Sequence, residues 1–209
     1  MEVDWLVAGL GNPGAAYVGT RHNLGFAIVE RLAAGPGAFA PAPWQAEAVC
    51  IRVDGVPVLL LKPQTFMNRS GTTVGEWFGA LGLAPERLIV VHDDLDLAVG
   101  RIRIVAEAGP GGHRGVASIQ ERLGTTGFPR VRIGIGRTEA GEAAEDRVLR
   151  PCTEAEAPRI TAALPEAAAA VRVIITEGLA AAMNQYNRRE PAGAPGESAT
   201  SEFSSEKGR

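Results

Sequence analysis

The sequence predicts an α/β fold in a single domain, with functional loops at the ends of strands. Short apolar segments of strand length alternate with segments whose apolar residues recur at helical spacing, which favours helices packed on a sheet. The chain has 209 residues, enough to bury a core without disulfide or metal staples. Hydrophobic residues make up 45% and charged residues 22%, both ordinary for a globular protein.

The predicted strands are short apolar or alternating runs, and they cover residues 3–8, 48–53, 56–61, 88–91, 101–105 and 131–135. The second and third flank Asp54-Gly55, which is typical of a hairpin turn. Loops are predicted over 35–43, where glycine and proline are frequent, and over 109–115.

The predicted helices show apolar residues three or four positions apart. The first carries its apolar residues between 24 and 32, with Thr20 or Asn23 as candidate N-cap, and the second opens at Asn68 or Ser70. A third covers 116–123. Residues 153–187 are mostly helical, with a break expected near Pro158 or Pro165. The domain is predicted to span 1–187, and the Gly-, Ser-, Glu- and Pro-rich tail 188–209 to be disordered.

Composition excludes several classes of protein. We find no apolar run long enough to cross a bilayer, and acidic residues stand where an export signal needs positive charge, so we expect a cytoplasmic protein without membrane contact. Cys50 and Cys152 are the only cysteines, which disfavours a disulfide scaffold or a cysteine-rich zinc site. Cys50 lies in an apolar strand and is interpreted as core packing. The net charge of −3 argues against a protein that coats nucleic acid.

One stretch is basic against this average. The segment 100–137 contains seven arginines and only two acidic residues, Glu107 and Glu121, which gives a local charge of 7 − 2 = +5. The arginines are Arg101, Arg103, Arg114, Arg122, Arg130, Arg132 and Arg137. Either this is a solvated face, or it is a phosphate-binding surface, for which the planar guanidinium is suited.

The glycine-rich loop 9–14 follows the first strand and matches the dinucleotide-binding fingerprint by letter. Its context disfavours that function, because Pro13 lies inside the motif and the next helix begins too late to receive a pyrophosphate. We expect instead that the glycines let the backbone turn sharply and bring Asn12 toward a cleft.

Histidines and carboxylates suggest two kinds of chemistry. His22, His92 and His113 could form a metal site together with the aspartates at 93, 94 and 96, but their spacing is not typical of one. In a strand, Asp93 would face away from the other two aspartates, which leaves it free for a separate role. An ordinary turn cluster at a strand end explains the same residues.

A histidine, an aspartate and side-chain amides can also activate water without a covalent intermediate. The imidazole takes a proton from water, and a carboxylate on its other nitrogen fixes the tautomer and stabilises the cation that forms. The amides of Asn12, Asn23 and Asn68 could hold a carbonyl oxygen. No Gly-x-Ser-x-Gly motif is present, which disfavours a serine hydrolase of the α/β type. Taken singly, each residue has an equally good explanation as a cap or turn.

Five blocks in order resemble signatures of the bacterial-type peptidyl-tRNA hydrolases. They are 9–14 with Tyr17 and 20–25, then 62–71, 92–97, 111–115 and 132–136, within a similarity that extends from 3 to 187. The resemblance implies a monomeric α/β fold with a twisted mixed sheet flanked by helices. It implies hydrolysis of the ester between peptide and tRNA, which recycles tRNA from stalled or dropped-off translation, without metal or organic cofactor.

Carried onto this chain, the resemblance makes His22 the general base and Asp93 its partner. Asn12 would contact the backbone of the peptide and so distinguish N-blocked from free aminoacyl-tRNA. Phe66, Met67 and Asn68 would line the cleft and position the scissile carbonyl, and Tyr17 would contact the tRNA end.

Position 114 departs from the family pattern, because the fourth block usually reads Gly-Gly-His-Asn-Gly and here carries Arg114. A guanidinium only donates hydrogen bonds, whereas an amide also accepts them. In one interpretation Arg114 grips a phosphate of the tRNA acceptor end. In another it marks a paralogue with altered substrate. Related plant-organelle proteins of this fold are RNA-binding splicing factors, so a non-catalytic RNA-binding protein is the alternative function.

Overall fold

A computed structural model describes residues 2–138 and 141–188, which form one mixed sheet packed between helices. Its strands are β1 Trp5–Gly9, β2 Ala40–Ala42, β3 Ala46–Val53, β4 Val56–Pro63, β5 Leu88–Asp94, β6 Ile102–Val105 and β7 Arg130–Gly134. The helices are α1 Leu24–Leu32, α2 Ser70–Leu81, α3 Arg114–Leu123, α4 Ala144–Val148, α5 Ala157–Thr176 and α6 Leu179–Tyr186. The predicted α/β class with a mixed sheet flanked by helices is confirmed.

The seven described strands lie in the order β2-β3-β4-β1-β5-β7-β6. The four in the middle are parallel, and the outer ones are antiparallel to their neighbours. The carboxyl ends of β4, β1, β5 and β7 therefore open on the same edge of the sheet. Loops at such an edge are where open α/β sheets hold their ligands.

The sheet has an apolar layer on each face, set by the alternation of side chains along the strands. From β1, Val7 packs on one face with residues of α1, α5 and α6. Leu6 and Ala8 pack on the other with residues of α2 and α3. Because the central strands are covered on both sides, they are continuous apolar runs, as expected for parallel strands.

Several predicted elements are confirmed and others need correction. Asp54 and Gly55 have positive φ angles of 48° and 87°, as the predicted β3–β4 hairpin requires. The loop predicted over 35–43 is wrong in part, because β2 pairs there with β3. Pro41 is tolerated because β2 is an edge strand. The loop over 109–115 ends early, because α3 already begins at Arg114.

The carboxyl-terminal helical region does not break at either proline. Pro158 lies in the first turn of α5, where no N–H is needed, and Pro165 lies inside the helix. Burial of Ile160, Ala167 and Val171 along the same helix holds it together through Pro165. The break comes at Gly178, whose φ of 94° suits glycine and separates α5 from α6.

Two local predictions are wrong. Neither Thr20 nor Asn23 caps α1 with its side chain, because the Thr20 hydroxyl donates to the Tyr17 carbonyl and the Asn23 amide is bonded to Asn12. Cys50 is exposed rather than buried, because β3 lies one strand from the edge of the sheet and its outer residues reach solvent. The predicted tail lies almost wholly outside the described residues, which end at 188. Within the described part, no helix is long and apolar enough to cross a membrane.

Candidate active site

A cleft of about 410 Å³ opens at the carboxyl edge of the sheet. Loops after β1, β4 and β5 form one side, and the starts of α3 and α4 form the other. All eight residues singled out from the sequence line it, namely Asn12, Tyr17, His22, Phe66, Met67, Asn68, Asp93 and Arg114. The fold thus gathers into one cavity residues that are up to about half the chain apart.

His22 and Asp93 are directly bonded in this cleft. The imidazole Nδ1 lies 2.9 and 3.1 Å from the two carboxylate oxygens, and the Asp93 side chain is only 2% exposed. Burial alone would raise the pKa of Asp93, but the imidazoles of His22 and His113 outweigh it and hold that pKa well below its usual range. An ionised Asp93 accepts a hydrogen bond from Nδ1–H of His22, which leaves Nε2 of His22 with its lone pair.

His113 is a second partner of Asp93 that the sequence analysis did not select as a site residue. Its Nε2 lies 3.1 Å from Asp93 Oδ1, and its Nδ1 accepts the backbone N–H of Val116 at 3.3 Å. These two bonds fix the proton on Nε2. The motif 111–115 contains His113, but nothing in the sequence shows that this loop lies next to β5.

His92 lies behind this pair and supports it. Its ring centroid is 4.6 Å from that of His113, and its Nδ1 donates to the Asp93 carbonyl at 2.7 Å. Complete burial, with His113 nearby, lowers the pKa of His92 well below its usual value. His92 is therefore neutral and structural, and it is absent from the cleft lining.

Asn12 is held in one orientation by its surroundings. Its Oδ1 accepts a hydrogen bond from the backbone N–H of Met67 at 2.8 Å. This bond assigns the other amide atom as Nδ2, which remains available as a donor to the cleft. Its backbone N–H donates to Asn23 Oδ1, and Asn23 Nδ2 donates back to the Asn12 carbonyl. Asn23 thus clamps the loop after β1 instead of capping α1 or reaching the cleft.

The glycines around Asn12 allow close packing more than they shape a turn. A Cβ at Gly9 would meet the Gly25 carbonyl of α1, and one at Gly11 would meet the Phe26 ring within 2.9 Å. In this loop only Gly14, with φ of 102°, needs a backbone conformation that favours glycine. The expectation of a sharp turn therefore holds at one of the three glycines.

The other lining residues form an apolar and polar rim. Phe66 is 56% exposed, and its ring centroid lies 6.3 Å from that of Tyr17 in an edge-to-face arrangement. Met67 is buried beneath the cleft, while Asn68 is exposed beside it. An exposed aromatic pair offers a surface on which a base or an apolar side chain can stack.

The basic stretch is largely neutralised in space by acids that lie outside it. Arg114, Arg122, Arg132 and Arg137 pair respectively with Glu145, Glu76, Asp94 and Asp96. Arg130 is buried, and its guanidinium donates to the carbonyls of Ala108 and Gly109. The charge counted along the chain therefore overstates the basic surface.

A buried network braces α4, which forms one wall of the cleft. Arg21, next to His22, donates to the Arg147 carbonyl at 3.0 Å and pairs with Glu156. Arg147 donates in turn to Glu156 Oε1 at 2.8 Å. Two guanidiniums thus share one carboxylate and tie the turn that carries His22 to the segment around α4.

The nitrogen and oxygen atoms of His22, Asp93 and His113 lie within 4.8 Å of one another, close enough to share a metal ion. In the structure these atoms are hydrogen-bonded to each other, which accounts for their proximity. The aspartates at 93, 94 and 96 do not converge on one metal site, because Asp94 pairs with Arg132 and Asp96 is exposed. The opposite orientation predicted for Asp93 and Asp94 agrees with these partners.

Comparison with known proteins identifies close relatives. A family profile described as peptidyl-tRNA hydrolase matches residues 6–193. The peptidyl-tRNA hydrolase of Moorella thermoacetica is 46% identical over 189 residues, which cover 90% of this chain and 100% of the relative. That of Carboxydothermus hydrogenoformans is 45% identical over 185 residues, covering 88% and 98%. The crystal structure of the Acinetobacter baumannii peptidyl-tRNA hydrolase superimposes with a TM-score of 0.84 at 35% identity, covering 92% and 100%.

Proposed function

This chain belongs to the peptidyl-tRNA hydrolase family, and we propose that its cleft hydrolyses the ester bond between a peptide and tRNA. The reaction recycles tRNA from stalled or dropped-off translation. The observation that carries the proposal is the bond between His22 Nδ1 and the buried Asp93 carboxylate, because it leaves Nε2 as a base that faces the cleft.

In the proposed mechanism His22 removes a proton from water. The water oxygen attacks the ester carbonyl carbon, and the proton moves to Nε2 of His22. Asp93 stays ionised and stabilises the imidazolium that forms. The tetrahedral intermediate collapses as the bond to the ribose oxygen breaks, and His22 returns the proton to that oxygen. The products are a free peptide carboxylic acid and a tRNA with its terminal hydroxyl restored.

Side-chain amides serve the carbonyl and the peptide in this proposal. The Asn12 amide, held by the Met67 N–H, presents a donor to the peptide backbone, so that an N-blocked substrate is distinguished from free aminoacyl-tRNA. Asn68 and the Phe66-Met67 segment position the scissile carbonyl. A donor fixed in advance where negative charge develops stabilises the transition state by about 3–4 kcal/mol in known enzymes.

The tRNA side of the substrate lies along the rim. Tyr17, paired edge-to-face with Phe66, contacts the tRNA end. Arg114 lines the cleft at the start of α3 and contacts a phosphate of the acceptor end. We propose further that the protein acts in the cytoplasm as a monomer, that 1–187 is the catalytic domain, and that the reaction needs no metal or organic cofactor.

The test is hydrolysis of N-acetyl-aminoacyl-tRNA by the wild type and by His22→Ala, with tRNA binding measured in parallel. Turnover by the wild type that is lost in the variant, while binding persists, supports the enzyme. A non-catalytic RNA-binding protein would bind tRNA equally in both forms and cleave no ester. Absence of turnover in the wild type would exclude the proposed activity.

A further inference from the structure

An exposed ion pair joins the starts of α3 and α4 on one side of the cleft. The two terminal nitrogens of Arg114 lie 3.3 and 3.1 Å from the two carboxylate oxygens of Glu145. Arg114 is the first residue of α3 and Glu145 the second of α4, and both line the cleft. Their side chains are 64% and 58% exposed.

The geometry of this pair resembles that of a bound anion. A guanidinium offers two parallel N–H donors, and Glu145 occupies them with two oxygens, as a phosphodiester would. Exposed ion pairs contribute little to stability, because water and salt compete for both charges. An incoming phosphate can therefore replace Glu145 without disturbing the fold, and α4 itself is held independently through Arg147.

The position of the pair indicates which part of the substrate would displace Glu145. Arg114 directly follows His113, whose ring centroid is 4.9 Å from that of His22. When the ester lies at His22, the nearest backbone phosphate is the one on the 5′ side of the same terminal adenosine, and a long arginine side chain beside His113 can reach it. The peptide end of the substrate faces Asn12, in the loop after β1.

We propose that Glu145 is a specificity-determining residue. In the free enzyme it pairs with the Arg114 guanidinium, and the phosphodiester next to the terminal adenosine displaces it. This inference rests on the proposed function. Esters that lack this phosphate leave the pair closed and gain nothing from Arg114. Once displaced, the Glu145 carboxylate also repels the phosphate, so it sets an upper limit on the affinity for tRNA and aids product release.

The experiment uses two small substrates, an N-acetyl-alanyl ester of adenosine and the same ester of the dinucleotide CpA, which adds one phosphodiester. Glu145→Gln removes the competing charge, and we expect it to lower KM for the CpA ester about two- to fivefold at low ionic strength. The KM for the adenosine ester is expected to stay unchanged. Arg114→Gln should raise KM for the CpA ester alone and remove the effect of Glu145→Gln in the double variant.

Glu76→Gln is the matched control, because Glu76 forms a comparably exposed pair with Arg122 outside the cleft. We expect no change in either KM. An N-acetyl-aspartyl ester of adenosine tests the other anionic source, an acidic peptide. If Glu145→Gln lowers KM for this ester instead, or changes no KM, the proposal is overturned. Failure of the wild type to hydrolyse N-acetyl-aminoacyl-tRNA would refute the proposed function instead.

Discussion

Asp93 accepts N–H donors from two imidazoles at once, and this sharing fixes the proton positions of the site. His22 donates from Nδ1 and His113 from Nε2, so only His22 is left with a lone pair that faces the cleft. Burial of Asp93 excludes water that would compete for these bonds. The charge on Asp93 therefore orients the imidazole of His22, the proposed base.

Asp93→Asn tests this role, because asparagine keeps the shape and an acceptor but carries no charge to stabilise the imidazolium. We expect kcat on N-acetyl-aminoacyl-tRNA to fall by about 10²–10⁴. The melting temperature and tRNA affinity serve as controls for folding and binding. A variant with kcat within twofold of the wild type would show that the carboxylate is dispensable.

Sequence reasoning worked at this scale where local geometry decides. The period of a strand predicted that Asp93 and Asp94 face opposite ways, and their partners are His22 and Arg132. The contact between His22 and Asp93 spans 71 positions and came only from the family resemblance. The bond from His113 to the same carboxylate was missed, because no local pattern shows where a glycine-rich loop folds back.

Helices and strands show where propensity is overridden by packing. Pro165 lies inside a helix of 20 residues because one face of α5 is buried against the sheet. The strand β2 has three residues with a proline, too short for any periodicity to reveal. In contrast, the Asp54-Gly55 hairpin follows from turn chemistry, and the range 24–32 of α1 follows from apolar spacing.

The bracing of α4 makes a prediction about stability. Arg21 and Arg147 share the Glu156 carboxylate, whose side chain is 15% exposed. Glu156→Gln removes the carboxylate that both guanidiniums share and leaves Arg147 with only the more distant Glu142. We expect the free energy of unfolding to fall by about 2–3 kcal/mol, somewhat less than for a fully buried pair. Denaturant unfolding at neutral pH measures this change.

Glu154→Gln is the control for the network, since Glu154 is exposed two positions away. It should change the free energy of unfolding by less than about 0.5 kcal/mol. Equal effects of the two substitutions would show that the network does not hold α4.

The whole molecule places its chemistry at the carboxyl edge of four parallel strands. Loops from three of them, with α3 and α4, supply a cleft that no single segment could form. The sequence could predict the fold class from alternating patterns, and its five ordered motifs contain the predicted site residues that line the cleft. It could not predict that the arginine excess is neutralised, because the acids that pair with it come from four separate positions elsewhere in the chain.

A buried neutral histidine gives the fold a pH dependence. His92 packs against His113, next to Asp93 and near Arg130, and its pKa in the folded state lies well below the ordinary value of 6.5. When the pH is lowered below 6.5, the unfolded chain takes up a proton at His92 that the folded chain does not. The free energy of unfolding therefore decreases as the pH decreases. The slope approaches about 1.4 kcal/mol per pH unit.

His92→Asn keeps a donor near the position of Nδ1 and removes the titrating group. We expect the free energy of unfolding of this variant to vary less between pH 7.5 and 5.5 than that of the wild type. This pH window lies above the pH range in which Asp93 and Glu156 titrate. Their lowered pKa values also make the fold less stable as the pH falls, but only at more acidic pH. Parallel pH profiles for the two proteins would contradict the assignment.

Metal dependence is a further property of the whole enzyme. The atoms of His22, Asp93 and His113 satisfy one another by hydrogen bonds, and the proposed mechanism uses His22 as a free base. We therefore expect hydrolysis to proceed at an unchanged rate after EDTA treatment. Loss of activity with EDTA and recovery on adding Zn²⁺ would instead assign these three residues to a metal site.

Chemical rescue of His22→Ala is the sharpest test of His22 as the base, because added imidazole can replace the missing side chain from solution. We predict that this variant hydrolyses N-acetyl-aminoacyl-tRNA about 10²–10⁴ times more slowly than the wild type, and that added imidazole restores part of the rate in proportion to its concentration. Hydrolysis by His22→Ala at the wild-type rate without imidazole would show that His22 is not the base.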